Sequence, residues 1–109
     1  MPAGLQRLVP DVALEADTSP GNYVMENGLW YIVGGTSDAA PQWAGILSSF
    51  NQKNASAGSG NPGAMLYGLC GSTSLHDVTS GSNGAYDAGS GYDMVTGIGT
   101  PDVSNLLGQ

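Results

Sequence analysis

The chain has little of what most partners and scaffolds require. One cysteine, Cys70, stands among 109 residues; an internal disulfide is excluded, and with no second Cys or His cluster around it so is a zinc site. Cys70 is therefore expected as a small core residue. Two basic residues face nine acids, a formal charge of −7. Such a surface has no basic patch to release counterions from nucleic acid and is repelled by anionic membranes, so neither is expected as a partner. No apolar run approaches the roughly 18 residues of a membrane span. The opening "MPAGLQRLVPDV" lacks the charged-then-apolar pattern of a signal peptide. Large apolar side chains are also scarce: ten Leu, seven Val, three Ile and one Phe fall just under the one-fifth level at which high net charge begins to suggest disorder. The core is expected to be thin.

Glycine, by contrast, is abundant, with 18 residues. In "YDAGSGYDMVTGIG" the glycines interleave with Tyr, Asp and Met, as flexible linkers do not, so these loops are expected to follow defined paths. The length allows one domain, residues 1–109. Along it strand and helix patterns alternate. "LVPDVALEA" (8–16) and "LWYIVGG" (29–35) read as strands, the second a continuous apolar run of the kind buried on both faces in a parallel sheet. From Ser37 to about Lys53, Ala40, Trp43, Ala44, Leu47 and Phe50 recur at helical spacing, with Asp38 near the positive end and Lys53 near the negative one. "NASAGSGNPG" (54–63) ends that helix and Pro62 opens a short second one. Residues 71–99 read as loop with brief strands, and "PDVSNLLGQ" as a final helical turn.

Ser37 stands where strand gives way to helix. The first-turn backbone N–H groups are unpaired there and the helix dipole is positive, so an oxyanion forming beside the serine would be stabilised. Pro41 cannot donate a bond to the Ser37 carbonyl, which loosens the first turn at that residue. Gly34 and Gly35 lack side chains and would let an extended peptide lie close to the strand edge. A serine at a helix start is most often a cap alone; the whole pattern G-T-S-x-x-x-P weighs against that simple account.

"GGTSDAAPQWAG" resembles the nucleophile motif of the subtilisin-like clan. Within the clan the rest of the chain is similar to the sedolisins, or serine-carboxyl peptidases. "VPDVALEAD" resembles the strand before the motif, "NPGAMLYGL" the following helix, and "HDVTSG" with "GYDMVTGIGTP" the C-terminal calcium-site segments. The resemblance implies an α/β, partial subtilisin-like fold: parallel strands, a helix bearing the nucleophile Ser37, and a C-terminal calcium-binding loop region. It also implies one Ca²⁺, held by the Asp77 carboxylate, the Val78 carbonyl, the Gly89 and Gly91 carbonyls, the Asp93 carboxylate and a water. Hard oxygen donors of this kind suit calcium, and glycines can turn carbonyls inward without a Cβ clash.

A serine needs a base to take its proton. In the sedolisins that base is a Glu supported by an Asp, and a further Asp lines the oxyanion hole. All lie well upstream of the serine, whereas 36 residues precede Ser37. Asp11 and Glu15 fall in an expected strand and match none of those positions. His76 follows the serine, the wrong chain order for a subtilisin base, and reads as a loop residue beside Asp77. Asp38 stands where the family has a small residue, and its carboxylate would oppose an oxyanion unless turned away. The expectation is thus the C-terminal portion of a peptidase domain carrying the nucleophile and the calcium site but neither base nor oxyanion Asp. It would act on peptide or protein substrates at acidic pH, outside the cytoplasm, in the complete enzyme. Its expected partners are the missing N-terminal part of the domain or, through an unpaired sheet edge, another copy of itself. The other reading is a non-catalytic, calcium-stabilised structural or binding module.

Overall fold

The computed structural model describes residues 6–108. Its first regular element is a hairpin, β1 (Asn22–Glu26) and β2 (Leu29–Val33), paired antiparallel with Tyr23 opposite Ile32 and Met25 opposite Trp30. Asn27 and Gly28 make the connection with φ of 51° and 79°, the left-handed pair that a two-residue turn requires. The expected parallel arrangement is thereby corrected. Parallel neighbours need a crossover of a dozen or more residues, and a two-residue turn can only fold a strand straight back. β2 is also not buried on both faces, since Leu29, Trp30, Tyr31 and Ile32 are all exposed.

Helix α1 (Thr36–Lys53) follows directly. Its apolar stripe buries Trp43 and half-buries Leu47 and Phe50, while Asp38 and Lys53 complement the dipole at its two ends. Pro41 is accommodated because the acceptor it deprives lies in the first turn. α2 (Gly63–Gly68) is short and has Pro62 as its N-cap. β3 (Leu75–His76) pairs antiparallel with β4 (Thr100–Pro101), and α3 (Val103–Leu107) closes the chain. α3 is capped at its start by the Asp102 carboxylate, which accepts from the Asn105 N–H at 2.8 Å. At its end Gly108 takes a left-handed conformation, and Lys53 Nζ donates to the carbonyls of Leu107 and Gly108, tying α3 to the end of α1.

Segment 8–16, expected as a strand, belongs to no ladder. It is held instead by single bonds to separate elements: Ala13 N–H donates to the Gly99 carbonyl (3.0 Å), Ile98 N–H to the Asp11 carbonyl (2.9 Å), and Trp43 Nε1 to the Ala13 carbonyl (3.2 Å). The core around it is thin, as the composition implies. Trp43, Leu66, Leu75 and Ile98 form its centre, with Val12, Leu14 and Leu47 packed against them. Cys70 does not belong to it. The residue sits in the turn after α2 and is exposed, because that turn faces its side chain outward. A cavity of about 900 Å³ opens between the first described residues, α1 and α2, with Val12, Trp43, Leu66, Asp11 and Tyr67 in its walls.

Candidate functional site

Ser37 is the second residue of α1, and Gly35 before it has φ 92°. The helix has no side-chain cap; the Gly35 carbonyl accepts from Asp38 N–H (3.0 Å) and Ala39 N–H (3.2 Å). Ser37 is exposed at this corner. Among the described residues none is hydrogen-bonded to its hydroxyl.

Two features of the corner differ from expectation. The space beside Gly34 is taken by the chain itself: a Cβ there would come within 2.8 Å of the Ala16 carbonyl oxygen and 2.9 Å of Thr18 Cγ2. Gly35 N–H donates to that same Ala16 carbonyl at 2.6 Å. The two glycines thus admit segment 16–18, and with it they fix where the helix starts. The second feature is Asp38. Its carboxylate is neither turned to solvent nor aimed at Ser37; Oδ2 accepts from Asn22 Nδ2 at 2.5 Å and Gln42 Nε2 at 2.9 Å. The departure at this position is absorbed by a tie between β1 and α1. No pattern around Asn22 marks this role in the sequence, although the Asn-Gly pair at 27–28 signals the hairpin that delivers it.

Further along the chain, the carboxylates of Asp77 and Asp93 both accept from the Gly89–Gly91 loop. Asp77 Oδ2 accepts from Gly91 N–H at 2.8 Å. Asp93 Oδ2 accepts from Gly89 N–H at 3.0 Å, and its Oδ1 from Val95 N–H (2.9 Å) and Thr96 N–H (2.7 Å). The Gly89–Gly91 loop is therefore spanned by the two acids, with Val78 half-buried next to Asp77. His76 is exposed in β3. Burial pushes the Asp93 carboxyl up, but the backbone N–H groups of Gly89, Thr96 and Val95 outweigh it and hold the group below the usual carboxylate range.

A divalent cation fits this donor set. Asp77 Oδ1 is buried and has no hydrogen-bond partner among the described residues, an arrangement that costs free energy unless something supplies a positive partner. Neither Lys nor Arg does so among the described residues. The chain has two Lys and Arg residues in all; Arg7 pairs with Asp11 and Lys53 with the end of α3. Among the described residues no three His, Cys, Asp or Glu side chains form a metal-binding group, so backbone carbonyls would have to complete the shell.

Asp11, expected as a strand carboxylate, is the hub of a separate cluster. It accepts from Tyr67 Oη at 2.8 Å and Arg7 Nη2 at 2.5 Å. The Arg7 bond first, then the Tyr67 bond, hold its carboxyl below the usual value despite burial. Burial, followed by the bond to Asp11, pushes Tyr67 up to about 12. Among the described residues Glu15 accepts from the nearby Asp17 N–H. A carboxyl lowered in the folded state contributes stability above its unfolded pKa and loses it as pH falls through the folded value. Asp11→Asn is accordingly expected to cost about 1 kcal/mol near neutrality, less than a fully buried charged bond because solvent screens the pair. That difference should vanish well below pH 3.8, the ordinary value for this group. Urea midpoints of both proteins at neutral and acid pH measure it, and an equal difference at both would refute the assignment.

Comparison with known proteins decides the lineage. The chain is 36% identical over 107 residues to "Sedolisin" of Pseudomonas sp. (strain 101), covering 93% of this chain and 18% of that protein. It is 41% identical over 112 residues to "Kumamolisin" of Bacillus sp. (strain MN-32), covering 96% and 20%. The solved structure of Pseudomonas sedolisin, a serine-carboxyl proteinase complexed with two molecules of pseudo-iodotyrostatin, superposes with a TM-score of 0.80 at 34% identity. That match takes in 92% of this chain and 28% of the other. The chain belongs to the sedolisin family. Its fold is that of a part of the sedolisin α/β domain, and it spans about a fifth of the length of these curated relatives. No family model matches. Among the described residues no helix is long and apolar enough to cross a membrane.

Proposed function

We propose that this chain supplies the nucleophile and a calcium-stabilised loop platform of a serine-carboxyl endopeptidase. The observation that carries the reading is Ser37 exposed in the first turn of α1, in a corner shaped by Gly34, Gly35 and segment 16–18, within a chain similar to sedolisin and kumamolisin. In that role Ser37 Oγ attacks the scissile carbonyl, the amine leaves with a proton, and water then cleaves the acyl ester. First-turn N–H groups other than those of Asp38 and Ala39, which donate to the Gly35 carbonyl, would face the developing oxyanion. The base lies outside this chain, in the larger share of a sedolisin-type domain that the matched segment does not cover. Asp38 keeps its charge off the reacting oxygen by accepting from Asn22 and Gln42.

Calcium would be held by the Asp77 and Asp93 carboxylates, the carbonyls of Val78, Gly89 and Gly91, and a water. When bound, it neutralises two acids and ties the Gly89–Gly91 loop to β3. Support for this comes from the orphaned Asp77 Oδ1, with Arg7 and Lys53 both engaged elsewhere.

The chain alone is expected not to hydrolyse peptides at any pH from about 3 to 8, because Ser37 has no base. Adding a polypeptide that corresponds to the rest of a relative's catalytic domain is expected to restore turnover at acidic pH. Ser37→Ala should then lower kcat by about a million-fold, as loss of a catalytic serine does elsewhere. Calcium binding without restored turnover would favour the second reading, a non-catalytic calcium-stabilised module, which the unpartnered Ser37 hydroxyl also suits. Turnover by the unmixed chain that Ser37→Ala abolishes would refute the claim that no base is present.

A further inference from the structure

We propose that Asn27 is a site of spontaneous covalent modification, deamidation through a cyclic imide, and that the fold protects the second Asn-Gly pair of this chain from the same reaction. The pairs are Asn27-Gly28 and Asn83-Gly84. A glycine after asparagine leaves its backbone nitrogen unhindered, because no side chain blocks the approach of that nitrogen to the amide carbon. By sequence both pairs are open to attack. Their hydrogen bonds separate them. Asn83 Oδ1 accepts from Ala85 N–H (3.0 Å) and Tyr86 N–H (2.9 Å), and Nδ2 reaches the Met94 carbonyl at 3.4 Å. Gly84 N–H, whose nitrogen would attack, donates to Ser82 Oγ at 3.0 Å. Both reacting groups are held. Asn27 and Gly28 instead form the exposed turn between β1 and β2, and among the described residues neither the Asn27 amide nor Gly28 N–H has a hydrogen-bond partner. A Cβ on Gly28 would meet nothing within 4 Å, so no other part of the chain braces the turn. A two-stranded hairpin is marginal by itself, and local opening brings its turn into conformations where nitrogen and amide carbon meet.

In the reaction the Gly28 nitrogen loses its proton and attacks Asn27 Cγ. The new N–C bond closes a succinimide ring, the bond from Cγ to the amide nitrogen breaks, and ammonia leaves carrying the proton. Water then opens one of the two ring carbonyls and yields aspartate or isoaspartate. Asparagine and water become acid and ammonia, with no change of oxidation state. The product adds a carboxylate next to Glu26 on a chain already at −7, and the isoaspartate form also lengthens the backbone of a turn built for two residues. That change is carried toward Ser37, because β1 begins at Asn22, whose amide donates to Asp38 of α1. The contrast between residues 27 and 83 lies within one chain and is read on that chain alone, whatever a complete domain lays on the hairpin.

Peptide mapping by mass spectrometry, after the folded chain has been held in oxygen-18 water at neutral and at mildly alkaline pH, tests the proposal. Trypsin cuts after Arg7 and Lys53 and so places Asn27 and Asn83 in separate peptides. The Asn27 peptide is expected to gain aspartate and isoaspartate carrying the heavy oxygen, and faster at the higher pH, where the attacking nitrogen gives up its proton more readily. Asn83 is expected to react about tenfold more slowly or less, because its groups must first be released by local opening. In urea the two rates should converge. Asn27→Gln, whose imide ring would be one atom larger, should leave its peptide unmodified. Equal rates in the folded chain, or a faster Asn83, overturn the proposal. Product without isoaspartate overturns the imide route, and rates that stay unequal in urea assign the difference to neighbouring residues and overturn protection by the fold.

Discussion

Chelation with EGTA is expected to lower the thermal midpoint of this protein by roughly 10–20 °C. The size follows from linkage: a ligand that binds only the folded state contributes RT ln(1 + [L]/Kd), about 2.7 kcal/mol at a hundredfold excess, and about 1 kcal/mol moves a domain of this length by about 4–8 °C. The effect is large because little else stabilises the C-terminal loops. Only Leu75 and Ile98 of the buried core come from residues 71–101, and the Asp77 oxygen without a partner becomes a net cost when no cation is bound. Asp93→Asn should reproduce most of the loss and abolish the response to EGTA. An unmoved wild-type midpoint on chelation would remove calcium from the account of this fold.

Gly99→Ala is expected to destabilise the chain by about 3 kcal/mol or more, a large part of what a domain of this size possesses. Gly99 has φ 100°, and a Cβ there would overlap the carbonyl oxygen of His76, which is backbone and cannot move aside. Gly99 also accepts the Ala13 N–H, so any shift of its backbone loosens segment 8–16. Gly97 is in the same position against the Asp11 carbonyl. The contrast is Gly45, in the interior of α1, where an added methyl group would meet nothing within 4 Å: Gly45→Ala should stabilise by roughly 0.5–1 kcal/mol. Denaturant midpoints for the two variants, measured side by side, should move in opposite directions. A neutral Gly99→Ala would show that the approach of residues 76 and 99 is looser than the structure has it.

Helix α1 was legible from residue types alone, because Trp43, Leu47 and Phe50 recur at a period that only a helix places on one side. So were the short helix after Pro62, the final helical turn in "PDVSNLLGQ", and the placement of Ser37 at a strand-to-helix corner. These are local matters, settled by neighbours a few residues apart. The hairpin was equally local, yet "LWYIV" reads as a buried parallel strand when hydrophobicity is weighed ahead of the Asn-Gly turn before it; an apolar run records what a strand is made of and not what covers it. Tertiary structure alone decided the rest. Segment 8–16 has strand composition but no strand beside it, since Gly97 and Gly99 bring single loop carbonyls and amides to it. Asp11 meets Tyr67 across 56 positions and Asp77 meets Gly91 across 14. No periodicity in a single sequence encodes such pairings, because they depend on where α2 and the glycine loops return to the core.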